Sequence, residues 1–372
     1  MTTDSQYRFK IFEKVNSSEW DLNLKKSRYS TFFQSTKYFK THDNTKIPLY
    51  IYVYNEKDQI VGQLALIIIK KQKFYSTPKF QWLSNLVSNL GNRGSWVSGP
   101  IIHSDEQKQR IKILEIFLKS LYEIMRKYNL ILLDGYSPAE GDIDEEYIKT
   151  FEKNNFNIER FVTFRADLTK KIEEIWKNVE KNAKNDVTKA ERQNVVIREI
   201  KNKEELSEYL LLSKKWAKTK GIEISNPLEN VDDDWHDYQA GLQKFFVAYQ
   251  NREIISGLRI VTFNDIAYTH EVLNSYSKAA SVGGPALTWY AIKWAKENGL
   301  RVYDFSGVKI NSEEQQTTGL EKYKKKWGGT EFPYYHFIKV VNSKKYKIMR
   351  LLTRPDWYYR DYKRRHFKRP RK

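Results

Sequence analysis

The sequence predicts an α/β protein of the α+β kind, with two tandem domains in which a mixed, mostly antiparallel sheet is flanked by helices. Three observations carry that expectation: a hairpin pattern that occurs twice, a Gly-Pro pair with a helix after each hairpin, and a buried strand ending in Asp after each helix. Residues 51–69 (IYVYNEKDQIVGQLALIII) run apolar on both sides of a polar turn. Residues 245–263 (FFVAYQNREIISGLRIVTF) do the same, one residue out of step before the second strand. Polar turn residues between two apolar runs are the hairpin signal. Four elements agreeing in order are the mark of a duplicated unit.

Each element has its own reason. Gly62 and Gly257 sit early in the second strand of each hairpin, and Gly99-Pro100 and Gly284-Pro285 follow. Ser104 is placed to cap the first helix, with Gln107 three residues on as its reciprocal partner. Ile111, Leu114, Leu118, Leu121 and Met125 then share one face. The strand NLILLD ends at Asp134. The second helix is expected over Ala286–Asn298 with Gly299 as its stop, before the strand GLRVYD that ends at Asp304. Between the halves, residues 173–192 read as one or two helices rich in Lys and Asn. Residues 204–218 read as an amphipathic helix with Leu206, Tyr209, Leu212 and Trp216 near one face. Asn226–Asp237 reads as a loop whose Asp232-Asp233-Asp234 cluster is a solvated helix start rather than a cation site. The expected domains are 1–164 and 165–343, with a basic aromatic tail, 344–372, able to pack back on the first domain.

Composition narrows the function classes. At 372 residues the chain is long enough for two domains, and 40% hydrophobic with 15% aromatic residues excludes bulk disorder. The net charge of +19 is uneven: Lys344–Lys372 holds 13 Lys/Arg against 2 Asp, leaving +8 for the rest. Such a tail can hold the phosphates of nucleic acid, anionic lipid or a nucleotide-linked substrate. With no Cys, thiol nucleophiles, disulfides and Cys-based metal sites are excluded, and six scattered His give no metal-ligand spacing. The longest apolar run, Leu64–Ile69, is strand-sized, and Met1–Ser5 does not open a secretory signal. The expected location is the cytoplasm, at most peripheral to the inner face of a membrane.

Five segments, in order, resemble the FemABX family of aminoacyl transferases, whose two units each have the GNAT acyltransferase fold. They are Phe33-Gln34-Ser35 with Tyr38; Trp96-Val97-Ser98-Gly99-Pro100; the basic stretch Lys181–Val196; Tyr303-Asp304-Phe305-Ser306-Gly307; and Gly319-Leu320, Tyr323-Lys324 and Trp327-Gly328-Gly329. The resemblance spans roughly residues 15–340, and Asn194 stands where the family has Gly. It implies two tandem GNAT-like domains and transfer of an amino acid from aminoacyl-tRNA to an amine of a peptidoglycan-type precursor. The long heptad insertion of the family's coiled-coil arm is absent, so the resemblance is to the compact members. The GNAT pyrophosphate loop is broken, since Lys278–Gly283 has Ser281 at the first Gly. Gly283 and Gly284 still permit close backbone approach to a phosphate, which keeps acyl-CoA as the alternative donor.

Acyl transfer to an amine needs stabilisation of the developing oxyanion and a route for the lost proton. The resemblance implies catalysis by Lys324, with Tyr323 beside it in the substrate site. Lys324 lies in a Lys-rich stretch: if its side chain is solvated, Ala there is expected to cost less than about 0.5 kcal/mol. If its ammonium meets the oxyanion or donor phosphate in a water-poor cleft, the same change is expected to slow transfer by about 100-fold or more. Asp134 ends a buried strand, where a carboxylate could accept the amine proton. Asp304, its repeat equivalent, is placed with the substrate-binding residues. Glu271 and His270 lie on the strand where GNAT enzymes often carry a catalytic carboxylate. Lys40 and Lys244 resemble substrate-diphosphate contacts, and Lys189 and Arg192 on the basic helix are further phosphate candidates. Trp357–Arg360 and Tyr362–Arg365 interleave aromatic and basic residues, as suits single-stranded RNA or lipid headgroups. No tightly bound cofactor and no metal is implied. The expected partners are aminoacyl-tRNA or acyl-CoA, a phosphate-bearing acceptor and an anionic membrane surface. A CoA-dependent N-acyltransferase of surface-glycan synthesis, and a non-catalytic RNA- or membrane-binding protein on the same scaffold, are the alternatives.

Overall fold

The structure is a computed structural model in which residues 6–39, 45–70, 90–139, 145–219, 226–275, 280–310 and 319–353 are described. The chain divides into two compact units, residues 1–159 with 334–372, and residues 160–333. The boundaries expected at 164/165 and 343/344 therefore lie at 159/160 and 333/334. The reason is that residues from Tyr334 on join the first unit's sheet as its last strand. Of the expected tail, residues 354–372 lie outside the described residues.

The first unit contains β1 (Tyr7–Phe12), α1 (Ser17–Lys25), β2 (Lys46–Asn55), β3 (Ile60–Ile69), β4 (Asn92–Trp96), β5 (Ile101–Ile102), α2 (Gln107–Lys127), β6 (Leu130–Tyr136) and α3 (Glu145–Lys153). The second contains β7 (Asn157–Asp167), whose first residues still belong to the first unit. It continues with α4 (Ile172–Asn178), α5 (Lys181–Arg192), β8 (Val196–Glu199), α6 (Lys203–Thr219) and α7 (Val231–Gln239). It ends with β9 (Gln243–Gln250), β10 (Glu253–Phe263), β11 (Ile266–Asn274), α8 (Ala280–Glu297), β12 (Val302–Asp304), β13 (Val308–Lys309) and α9 (Gly319–Lys325). The chain then returns through β14 (Thr330–Val340) to α10 (Ser343–Thr353) in the first unit.

Strand order is β1-β2-β3-β4-β6-β14 in the first unit and β7-β12-β11-β10-β9-β8 in the second. The duplicated core is thus β2-β3-β4-β6 in one and β9-β10-β11-β12 in the other. In each, two antiparallel pairings are followed by one parallel pairing, β4 with β6 and β11 with β12. Parallel neighbours need a crossover, and α2 and α8 supply it. The sheets are mixed and mostly antiparallel, as the sequence predicts.

Period-two alternation builds the cores. Leu49, Ile51 and Val53 of β2 and Leu64, Leu66 and Ile68 of β3 face α2, where Ile113, Leu114, Phe117 and Leu121 cover them. The alternate residues Tyr50, Tyr52 and Ala65 turn to Trp20 of α1 and to Phe39. Both faces are covered, which is why these strands read as nearly continuous apolar runs. Gln34 of the Phe-Gln-Ser segment is fully buried and completes the backbone of β3. Its Nε2 donates to Val97 O at 2.6 Å and its Oε1 accepts from Ala65 N at 2.7 Å. In the second unit Phe246, Ala248, Leu258 and Ile260 face Leu287, Ala291 and Ile292 of α8. Phe245, Val247 and Leu273 face Leu206, Tyr209 and Leu210 of α6.

Three local expectations change. The first repeat's helix starts at Gln107 with Glu106 as its N-cap and no side-chain cap, while Ser104 Oγ instead accepts from Glu106 N at 3.2 Å. Asn226–Asp237 is not a loop: Pro227–Asn230 form a short 3₁₀ turn and the three Asp residues occupy the first turn of α7, where carboxylates favour the helix dipole. The second repeat's helix begins at Ala280, six residues early, because Gly283 and Gly284 lie inside it, facing the sheet. A Cβ on Gly283 would stand 2.5 Å from Ser256 Oγ, and one on Gly284 3.1 Å from Asn274 Oδ1.

Gly135 shows the same device in the first unit. A Cβ there would fall 1.9 Å from the indole of Trp96, which is fully buried and donates Nε1–H to Gly99 O at 2.9 Å. Gly135→Ala should therefore cost about 1–3 kcal/mol through overpacking. Gly319→Ala, with nothing within 4 Å, should stay within about 0.5 kcal/mol. Urea midpoints of the two variants test this, and equal midpoints would contradict the close packing at Gly135.

Candidate active site

The two units differ where their parallel strands end. In the first, β4 and β6 stay in register to Trp96 and Gly135, Gly99 N then donates to Tyr136 O at 2.9 Å, and the Trp96 indole fills the space between. In the second, β11 and β12 pair at only three positions, Ile266–Tyr268 with Val302–Asp304. β11 runs on to Asn274, whereas Phe305 N turns away to Phe164 O at 2.9 Å and Val308 pairs with Val162 of β7. A fork opens at Tyr268 and Asp304. No strand pairs with the fork-side edge of β11 beyond Tyr268 among the described residues.

A β-bulge lies at the fork. Arg259 pairs with Glu271 and Ile260 with Thr269, so His270 is the extra residue. Bulges re-aim side chains and break pairing locally, which suits the wall of a site. His270 is an exposed residue. Desolvation by the surrounding protein, with the nearby Arg259 charge, pushes the imidazole down to about 4. His270 is thus neutral at pH 7. Glu271 points to α6, where Tyr209 donates its OH at 3.0 Å and Ser213 its Oγ–H at 2.9 Å. Both hydroxyls donate to the carboxylate oxygens, and they fix its orientation.

The other arm of the fork is the turn after β12. Asp304 is buried and fully engaged: Arg165 Nε at 2.7 Å, Thr163 Oγ1 at 2.6 Å and Ser306 N at 2.7 Å. Ser306 has φ +61° and its Oγ donates to Thr269 O across the fork's base. Lys324 of α9 clamps the turn, with Nζ 2.7 Å from Ser306 O and 2.9 Å from Gly307 O. Its side chain is buried, not solvated. Burial pushes its ammonium down to about 8, against the opposing pull of Asp304. Tyr323 faces α8: its OH meets Thr288 Oγ1 at 2.9 Å, and burial pushes it up to about 12.

In the first unit Asp134 is buried and holds Arg93 through two bonds, Nε at 2.9 Å and Nη2 at 2.7 Å. His336 Nε2 lies 3.1 Å from its Oδ2, with the ring stacked on Tyr136 at 4.2 Å. Burial pushes the Asp134 carboxyl up, but the bonds from His336 and Arg93 outweigh it and hold it below its ordinary value. A carboxylate kept ionised in this way is a weak proton acceptor. The expected acid/base part for Asp134 gives way to a buried ion pair, and Asp304 repeats the arrangement with Arg165.

The remaining candidates divide. Lys244 is bound to Glu199 at 2.8 Å and lies over the Tyr238 ring at 4.7 Å, so its charge is engaged within the unit. Lys189 and Arg192 are exposed on α5. Ala190 of α5 packs on Val282 and Ala286, which sets this helix beside the start of α8. Gly283 and Gly284 are not in a loop ahead of the helix: they lie within α8 and face Ser256 and Asn274. Lys40 lies outside the described residues, as do Lys278 and Ala279 of the broken pyrophosphate loop. Arg93, Arg165 and His336 carry no signal in the sequence, since the Asp each meets is distant along the chain. Ser306 is marked there only as part of the segment Tyr303–Gly307.

No family model matches the sequence, and no curated protein matches it at a significant level. Solved structures do. The chain is similar to FemX, at 15% identity and TM-score 0.67 over 91% of this chain and 99% of that one. It is also similar to L-PGS from Bacillus licheniformis, at 14% identity and TM-score 0.53 over 91% and 96% of the two chains. A tandem GNAT protein from the clavulanic acid biosynthesis pathway superposes at 11% identity and TM-score 0.53 over 90% and 98%. With the repeated strand order, these likenesses give the chain the tandem GNAT fold.

Proposed function

We propose that the protein is an acyltransferase that makes an amide, moving an aminoacyl or other acyl group from a carrier to an amine of a nucleotide- or lipid-linked envelope precursor. The observation that carries this reading is the open fork of the second unit, set against the filled fork of the first. The unpaired edge of β11 offers backbone N–H and C=O groups to an extended donor, in the manner of an added strand. The amine nitrogen attacks the acyl carbon, a C–N bond forms, and the bond from that carbon to the carrier's oxygen or sulfur breaks. The proton lost by nitrogen ends on the departing carrier. Lys324 is a positioning residue that holds the turn forming the opposite arm.

Aminoacyl-tRNA is favoured over acyl-CoA as the donor. Gly283 and Gly284 face the sheet from within α8 and form no loop ahead of it, whereas exposed Lys189 and Arg192 present cations beside the start of α8. A single-turnover assay with labelled aminoacyl-tRNA, labelled acetyl-CoA and an amine-bearing UDP-linked precursor tests the reading. Label is expected to move from tRNA to the acceptor. Transfer from acetyl-CoA alone would replace the donor, and transfer from neither would leave the scaffold as a binding protein.

A further inference from the structure

Helix α10 has two unlike faces. Tyr346 and Met349 pack inward on Ile131, Leu132, Ile338 and Val340. Ile348 and Leu351 point away, 47% and 48% exposed, and Lys344 is exposed with them. At about 100° per residue, Lys344, Ile348 and Leu351 fall within roughly 60° of one another. Three of the eight large exposed apolar side chains among the described residues lie in the short stretch from Val341 to Leu351. The helix carries Lys344, Lys345, Lys347 and Arg350 and no acidic residue. The sequence beyond it adds nine Lys/Arg against two Asp, with Trp357, Tyr358 and Tyr359 among them.

We propose that α10 docks the protein on a bilayer surface rich in anionic phospholipid, with Ile348 and Leu351 entering the headgroup layer and the lysines around them on the phosphates. Nucleic acid would satisfy the cations but offers nothing to two aliphatic side chains held in water. An anionic bilayer satisfies both, because interfacial helices combine apolar burial with attraction to headgroups. Trp and Tyr in the following segment are the residues that favour the headgroup level. No described helix is long and apolar enough to cross a membrane, so the association is with the surface.

The test is flotation of the full-length protein with vesicles of phosphatidylcholine alone, or of phosphatidylcholine mixed with phosphatidylglycerol. Binding is expected to the mixed vesicles only, and it should weaken as salt rises. Ile348→Ser/Leu351→Ser keeps every charge and touches only the outer face, so its melting curve should match the parent. Its affinity for mixed vesicles should fall by about tenfold or more. Lys344→Gln/Lys347→Gln should lose about fivefold for each charge removed. Unchanged vesicle binding by the Ser variant would overturn the proposal. So would failure of the parent to bind mixed vesicles while it binds a single-stranded RNA oligomer, which would assign the basic end to nucleic acid.

Discussion

Lys324→Met should weaken the fold by about 2–4 kcal/mol and slow acyl transfer by about 100-fold. Its ammonium is the donor to two backbone carbonyls, Ser306 O and Gly307 O, in a buried setting. Methionine fills much of the same volume and leaves both oxygens unpaired, and each such group costs about 1–3 kcal/mol. The kinetic loss rests on the acyltransferase reading: a small displacement of the turn that forms one arm of the fork is enough for about two orders of magnitude. Lys325→Ala, at an exposed position of the same helix, should stay within about 0.5 kcal/mol. Stability should also depend on pH in a defined direction. Folded Lys324 titrates at about 8, below the ordinary 10.5, so between those values the unfolded chain binds more protons. The Lys324 contribution therefore rises with pH from about 8 to 10.5 and is constant below that window. Urea unfolding of parent and variant at pH 7 and pH 10 measures it, since the gap between them should widen. A gap that narrows would mean that the ammonium is not desolvated.

Lys324 also shows what the sequence could and could not convey. Lys322, Lys324 and Lys325 are three similar letters, yet only the second is buried, and what buries it is a turn 18 residues upstream. The flanking aromatics Tyr323 and Trp327 were the one local hint of an interior. The hairpins were legible because alternation and turn residues are local. Asn251 and Arg252, both at positive φ, make the two-residue turn of β9–β10. The start of α8 was not legible, since Gly283, Gly284 and Pro285 all read as breakers. In the folded chain the glycines are there because Ser256 and Asn274 approach too closely for a Cβ, and tertiary contact overrides propensity. The duplication was legible as element order. The difference between the two forks was not, because it depends on which strand each chain segment pairs with after Asp134 and Asp304.

Asp134→Asn should cost about 3 kcal/mol. Removing one partner of a buried ion pair leaves the other uncompensated, at about 3–5 kcal/mol. The lower end applies, because the Arg93 side chain is 38% exposed and can turn to water, while His336 at 13% cannot. The carboxyl titrates below its ordinary value in the fold, so its contribution is complete above the unfolded value and is lost as pH falls through the lower folded one. The gap between parent and variant should be flat from pH 5 to 8 and close at more acid pH. Arg93→Met supplies the cycle: if the pair acts as a unit, the double variant should cost much less than the two single losses added together. The same variants separate structure from chemistry at this strand end. A proton acceptor must be able to hold the proton it takes, and a carboxylate bound by Arg93 and His336 gives up that capacity in exchange for fixing β4, β6 and β14 together. Asp134→Asn should therefore lower stability while leaving the turnover of the folded fraction within about tenfold, short of the 100-fold or more that loss of a general base brings. An unchanged melting point with abolished transfer would return Asp134 to the chemistry and make the ion pair incidental.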